Sequence, residues 1–309
     1  MASKGTTNSK IRPAIKNIIA TFVIIVITYF MANQLYRGWK DIPFASLHIN
    51  YIWLIVSYLG LFATFCCSIK AWQIILKGLG TKMSFTKSWW VITGSFLAKY
   101  IPGHVWAVGG RMILCKAEGI PEKISGTAMV IEMMVLLLGS LLAAIICIPF
   151  LLLKGIPSWV WLLTIPTGLL MALLFSPMVI VLLRWVAKVF LKREVALSVD
   201  YAKIRMASVI YLFSAIIQGT AFYLLIRTVY PISIIYLPGV IGLYNGAWAV
   251  GFLSLITPSG LGVREGALVF LLKYYIPVPL AVIISILARL WFIVFEVVVA
   301  FIGLTFRKQ

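Results

Sequence analysis

Long apolar runs recur along this chain, and they restrict its fold more than any other feature. Hydrophobic residues make up 62% of the 309 residues, and the mean hydropathy is +1.06. Runs of about 20 apolar residues are long enough to cross a bilayer as helices, whose backbone hydrogen bonds are all internal. The sequence therefore predicts an all-α polytopic membrane protein, a single transmembrane domain over residues 1–309 that leaves no room for a soluble catalytic domain.

Six of these runs are predicted to cross the bilayer completely. Two further regions, 88–116 and 238–273, are apolar but interrupted by proline, glycine and charged residues. Irregular backbone survives at membrane depth only when it is buried in protein or lines a wet cavity. We therefore expect two re-entrant broken-helix segments, with eight full spans as the alternative. The six runs lie at about 15–35, 50–76, 124–150, 159–183, 206–229 and 279–305.

The basic residues, which give a formal net charge of +19, cluster beside the apolar runs. Such clusters are typical of cytoplasmic loops facing anionic lipid, whereas nucleic-acid binding would need a basic soluble domain. Basic and poorly charged loops alternate if both broken regions enter and leave on the same side. The pattern therefore favours the six-span arrangement, with both termini cytoplasmic and a location in the cell (plasma) membrane.

The two broken regions resemble each other at a constant offset of 156 residues. Pro102 corresponds to Pro258 and Gly110 to Gly266 at this offset, and the predicted spans correspond as well. Chance similarity in a biased composition is the alternative to a duplication. An odd number of crossings in each half would invert the second half, which is an architecture of transporters. The two inverted repeats are predicted to cover about 15–150 and 158–305.

Charged residues inside the apolar runs are predicted to bind and translocate a substrate. Glu132 and Arg289 lie roughly 12 and 15 Å inside their spans at 1.5 Å per residue, where an unpaired charge is costly. The repeat would place Glu132 and Arg289 face to face, although a purely structural salt bridge is the alternative. The predicted binding residues are Lys99, His104, Arg111, Glu132, Arg264, Glu265, Arg289 and Glu296, and structural breaks are predicted at Pro102, Gly103, Pro258, Gly260, Gly262 and Gly266.

Arg264 and Glu265 are adjacent, so on a helix their side chains point about 100° apart and need not pair. A helix that starts after Gly262 would favour an anion at its first turn, and Arg264 would add a guanidinium suited to phosphate. A polar loop at the surface is the alternative. The sequence contains no metal-ligand cluster, catalytic triad or nucleotide-binding loop, and we expect no cofactor and no enzymatic activity.

The stretch Pro258-Ser-Gly260-Leu-Gly262-Val-Arg264-Glu265-Gly266-Ala267 resembles the flippase-like family, also called the lysylphosphatidylglycerol synthase transmembrane-region family. Lys99-Tyr100-Ile101-Pro102-Gly103 and Gly110-Arg111 carry the same resemblance, which covers roughly residues 15–305. Ser259 stands where the family motif would lead one to expect glycine. The resemblance implies a membrane protein that moves a phospholipid or lipid-linked headgroup between leaflets. Some relatives carry a cytosolic aminoacyltransferase or glycosyltransferase domain, which we do not expect here.

Three functions are consistent with these patterns. A lipid flippase would use a central polar cavity and bind an anionic headgroup within the bilayer. A membrane glycosyltransferase-like enzyme would act on a lipid-linked substrate with Glu265 as its carboxylate. A non-transporting accessory subunit would serve a lipid or polysaccharide pathway beside a partner synthase. The sequence favours the flippase, leaves a homo-oligomer open and indicates no nucleic-acid partner.

Overall fold

The computed structural model describes residues 49–96, 105–147, 200–254 and 262–306, with the single residues Tyr29, Tyr36, Phe150 and Gly260. This part of the chain is all-helical and contains no strand, which confirms the predicted fold class. The helices are α1 Tyr51–Gly78, α2 Phe85–Gly94, α3 Val105–Ala117, α4 Glu122–Ile146, α5 Tyr201–Val229, α6 Leu237–Leu253, α7 Val263–Leu272 and α8 Val278–Phe306, with a 3-10 turn Ile234–Tyr236 before α6.

Four of the predicted spans coincide with helices α1, α4, α5 and α8, within five residues at each end. The predicted spans at 15–35 and 159–183 lie outside the described residues. Within those described, five helical segments are long and apolar enough to cross a membrane: these four and Ile234–Leu253. The chain is therefore a multi-pass membrane protein.

Helices α1 and α5 lie side by side and run in opposite directions. The backbone N–H of Asp200 donates to the Gly78 carbonyl, and that of Asn50 donates to the Thr228 carbonyl, both at 3.0 Å. The side chains of Asn50 and Asp200 also cap their helices by accepting from the first-turn N–H groups. These bonds define two ends of the molecule, named here the 78/200 end and the 50/228 end.

The first broken region is a helical hairpin of α2 and α3. Lys87 near the start of α2 forms an ion pair with Glu118 just after α3, with Nζ and Oε2 2.8 Å apart. Helices of 10 and 13 residues extend about 15 and 20 Å, too short to cross a hydrocarbon layer of about 30 Å. The hairpin follows α1 after a short loop, and so it opens at the 78/200 end.

The second broken region, α6 and α7, is a hairpin that opens at the 50/228 end. The ring of Tyr275, after α7, packs against that of Tyr236, before α6, with centroids 5.6 Å apart. Ile234–Leu253 is long and apolar enough to cross a membrane, but α7 returns the chain to its starting level. Each broken region therefore enters and leaves on one side, as the six-span interpretation requires. The first opens at the 78/200 end and the second at the 50/228 end.

The first helix of each hairpin packs against a span of the opposite half. On α2, the Trp89 indole N–H donates to the Val299 carbonyl of α8 at 2.9 Å. On α6, Gly246 faces Ala144 of α4, and the Asn245 amide joins α6 to its own half by donating to the Ala215 carbonyl of α5 at 3.0 Å. An offset of 156 residues superposes the ranges of α1–α4 on those of α5–α8 in order. The boundaries of the two repeats stay a prediction.

Candidate functional site

Arg111 of α3 and Glu132 of α4 form a buried ion pair. The guanidinium donates from Nη1 to Oε2 at 2.5 Å and from Nη2 to Oε1 at 3.3 Å, and the Tyr211 hydroxyl donates to Oε1 at 2.8 Å. Arg111 also lies over the Trp72 ring, with Cζ 4.0 Å from its centroid. Arg111 is 8% exposed and Glu132 9%. One carboxylate with three hydrogen bonds thus links α3, α4 and α5, and the cation joins them to α1.

Glu265 of α7 and Arg289 of α8 form a second ion pair. Arg289 Nη1 donates to Oε1 of Glu265 at 3.2 Å, and the other oxygen accepts from the Gly262 N–H at 2.8 Å. The Arg289 and Glu265 side chains are 17% and 12% exposed. Because Glu265 is the third residue of α7, its carboxylate satisfies an N–H group that the helix start leaves without a backbone partner.

The two ion pairs are built alike, with reversed polarity. In the first half the return helix of the hairpin carries the cation, Arg111, and the span carries the carboxylate, Glu132. In the second half the return helix carries the carboxylate, Glu265, and the span carries the cation, Arg289. Each pair is closed within its own half, so the prediction that Glu132 and Arg289 face each other is wrong.

The reason is that the pairs lie toward opposite ends of α1. Arg111 contacts Trp72, six residues before the end of α1. Trp291, two residues after Arg289, donates from Nε1 to the hydroxyl of Ser57, six residues after the start of α1, at 3.1 Å. The two contacts on α1 are therefore about 22 Å apart along the helix axis at 1.5 Å per residue.

The tip of the second hairpin is held by glycines. Gly260 and Gly262 have φ angles of +67° and +80°, which side chains rarely adopt. A Cβ atom added at Gly260 would lie 2.6 Å from the Gly251 carbonyl oxygen at the end of α6. The predicted breaks at these two glycines are present, and α7 begins directly after Gly262. Gly266 is not a break residue: its N–H donates to the Gly262 carbonyl at 2.8 Å in the first turn of α7.

Arg264 contacts other residues than Glu265 does, as expected for neighbours on a helix, which point about 100° apart. Its Nη2 donates to the Tyr244 hydroxyl at 2.7 Å, and its Cζ lies 5.8 Å from the Phe292 ring centroid. Tyr244 is buried and stacks on Phe222, with centroids 4.6 Å apart. Among the described residues no carboxylate lies within ion-pair distance of Arg264. The second hairpin thus presents a guanidinium that is held by aromatic residues and is not neutralised by a carboxylate in that part of the chain.

The fold that carries this geometry is that of a known membrane-protein family. The family model described as the lysylphosphatidylglycerol synthase TM region matches residues 17–300. The chain belongs to this family. The matched range contains both hairpins and both ion pairs. No curated protein matches the chain. The lysylphosphatidylglycerol synthase TM region is a membrane domain of lipid-related proteins. The chain therefore contacts the lipid bilayer, and its family is consistent with a lipid-associated role in the membrane.

The remaining predicted site residues of this lysylphosphatidylglycerol synthase TM region lie outside both ion pairs or outside the described part of the chain. Glu296 is buried in α8, two helical turns beyond Arg289. The described residues contain no group of three His, Cys, Asp or Glu side chains that could hold a metal ion. Five predicted residues lie outside the described part of the chain: Lys99, Pro102, Gly103, His104 and Pro258.

The sequence did not indicate the aromatic residues that hold the charges. Trp72 and Tyr211 surround the first ion pair, and Tyr244 and Phe292 surround Arg264. Aromatic residues are common in apolar runs, so their positions alone carry no functional pattern. The usable signal is that buried tyrosine hydroxyls need hydrogen-bond partners, which charged groups at the same depth can provide.

Proposed function

We propose that this protein moves an anionic lipid headgroup, of a phospholipid or a lipid-linked substrate, between the two membrane leaflets. The observation that carries the proposal is the pair of hairpins that open at opposite ends of α1 and α5. Transporters with inverted repeats place broken helices from both sides around one substrate site and expose it alternately. The return helices α3 and α7 are the elements whose rearrangement would open each side.

Arg264 supports an anionic substrate. Arg264 is half-buried, and its guanidinium donates to the neutral Tyr244 hydroxyl, without a carboxylate partner in the described part of the chain. Charged groups at membrane depth are costly unless they are paired or take part in function. Guanidinium groups bind phosphate through two parallel hydrogen bonds, which suits a phospholipid headgroup.

We also propose that the 78/200 end faces the cytoplasm, in the plasma membrane. Lys77 and Lys82 lie at or after the end of α1, and Lys203 and Arg205 lie in the first turns of α5. These four cations belong to the same end because α1 and α5 are antiparallel. Basic residues beside spans favour the cytoplasmic side. The first hairpin would then open to the cytoplasm and the second to the outside.

Transport is favoured over an enzymatic role by the contacts of Glu265. One carboxylate oxygen accepts from Arg289 and the other from the Gly262 N–H. Both partners are groups of the protein itself, one on α8 and one at the start of α7. We therefore propose that the carboxylate has a conformational role, and that the protein acts without catalysing a covalent step.

The test is a leaflet-translocation assay on purified protein in proteoliposomes. Phosphatidylglycerol with a fluorescent headgroup-proximal label is bleached from outside by a membrane-impermeant reductant. We expect bleaching of inner-leaflet lipid with the native chain, and slower bleaching with Arg264→Ala and Arg289→Ala. The matched control is Lys273→Ala, which removes an exposed cation at the end of α7. Absence of translocation by the native chain contradicts transport, and undiminished rates in both arginine variants contradict the site.

A further inference from the structure

The two ion pairs differ in how firmly they are held. Glu132 accepts two hydrogen bonds from Arg111 and a third from Tyr211. Glu265 accepts a single hydrogen bond from Arg289, at 3.2 Å, and the Arg289 side chain is 17% exposed where that of Arg111 is 9% exposed. The second pair is therefore the easier one to open.

Opening the second pair would leave two cations beside one face of α8, Arg289 on that helix and Arg264 on the neighbouring α7. Phe292 follows Arg289 by three residues, a spacing that places both side chains on the same helix face, about 5–6 Å apart at Cβ. The guanidinium of Arg264 lies over the Phe292 ring at 5.8 Å. Arg264 and Arg289 thus approach the same part of α8, and Glu265 neutralises only Arg289.

We infer that a phosphate group binds between Arg264 and Arg289 and replaces the carboxylate of Glu265 at Arg289. This inference rests on the proposed function and names phosphate as the chemical group that its site would bind. Two guanidinium groups match the oxygens of a phosphate better than one does, since each can donate in parallel pairs. Glu265 is then an internal competitor of the substrate.

The Gly262 N–H explains how Glu265 can release Arg289 without losing every partner. Its bond to the second carboxylate oxygen, at 2.8 Å, lies within the start of α7 and does not involve α8. Tyr244 positions the other cation, because its hydroxyl accepts from Arg264 and its ring is fixed by stacking on Phe222. Ligand binding would therefore loosen α7 from α8 while the tip of the hairpin keeps its own hydrogen bond.

The test is equilibrium binding to purified full-length protein in neutral maltoside micelles. The probes are dihexanoyl phosphatidylglycerol and inorganic phosphate, measured by microscale thermophoresis. Glu265→Gln keeps an oxygen for the Gly262 N–H but removes the competing charge. A partly exposed ion pair limits the gain, so we expect binding about fivefold tighter than that of the native chain. Arg264→Gln and Arg289→Gln each lose a charge-assisted contact and should bind about tenfold more weakly.

Glu265→Asp and Lys273→Gln complete the test. The shorter aspartate retains the negative charge at the helix start but withdraws it from Arg289, so binding should again tighten, by less than with glutamine. Lys273→Gln removes a cation outside the site and should leave binding unchanged. Weaker or equal binding by both Glu265 variants overturns the inference, as does unchanged binding by Arg289→Gln. Tightening with the lipid probe alone identifies a lipid headgroup, and tightening with both probes identifies phosphate itself.

Binding and translocation separate this inference from the proposed function. Tighter binding by Glu265→Gln without translocation by the native chain would support the phosphate site and contradict transport. Translocation by the native chain with no tightening in either Glu265 variant would contradict the exchange and leave transport standing.

Discussion

Removing the carboxylate of the first ion pair should destabilise the protein strongly. Glu132→Ala leaves the Arg111 cation buried without its partner and removes the acceptor of the Tyr211 hydroxyl. Truncating one member of a buried ion pair costs roughly 3–5 kcal/mol in the free energy of unfolding. The expected fall in melting temperature is on the order of 10 °C for a protein of this size. Thermal unfolding of purified protein in maltoside micelles measures it.

Glu118→Ala is the matched control, because it removes a carboxylate from an ion pair at the mouth of the same hairpin. The Lys87 and Glu118 side chains are 47% and 23% exposed, so their pair should contribute only about 0.2–1 kcal/mol. A double variant, Arg111→Met with Glu132→Leu, buries no charge and should be more stable than Glu132→Ala. Equal melting temperatures for Glu132→Ala and Glu118→Ala would refute the reasoning.

Three further changes test single contacts by the same thermal unfolding. Gly260→Ala should destabilise by several kcal/mol, because its Cβ would lie 2.6 Å from a carbonyl oxygen; Gly80→Ala, also at positive φ but with nothing within 4 Å, should cost only about 1 kcal/mol. Equal costs would refute the close contact. Tyr211→Phe removes one hydrogen bond to Glu132 and should cost about 1–3 kcal/mol, less than Glu132→Ala. Trp89→Phe removes the hydrogen bond to the Val299 carbonyl of α8 and should lower the free energy of unfolding by about 0.5–1.5 kcal/mol. An unchanged melting temperature would show that this hydrogen bond does not stabilise the protein.

The spans and hairpins could be predicted because their causes are local in sequence. A run of about 20 apolar residues makes a crossing helix, and α1, α4, α5 and α8 follow such runs closely. Glycines with positive φ mark the break before α7 because only glycine adopts that backbone easily. The return of each hairpin to its starting side followed from the distribution of basic loops.

The partners of the charges could not be predicted because they depend on how helices pack. The repeat offset aligns Glu132 with a neighbour of Arg289. Aligned residues occupy equivalent positions in the two halves, but they need not lie close together in the structure. Equivalent positions in inverted halves lie at opposite depths, which is why each charge pairs within its own half. The roles of Tyr211 and Tyr244 could not be predicted for a related reason. The position of a tyrosine in an apolar run does not indicate which charged side chain it contacts.

Transport by alternating exposure requires the two hairpins to open to opposite faces of the membrane. Single cysteines introduced at Lys82, in the loop before the first hairpin, and at Lys273, at the end of the second, report the sides directly. The background is a chain whose four native cysteines are replaced, and the reagent is a membrane-impermeant maleimide on intact cells. We predict labelling of Lys273→Cys on intact cells and of Lys82→Cys only after permeabilisation. Labelling of both positions from the same side would contradict the account.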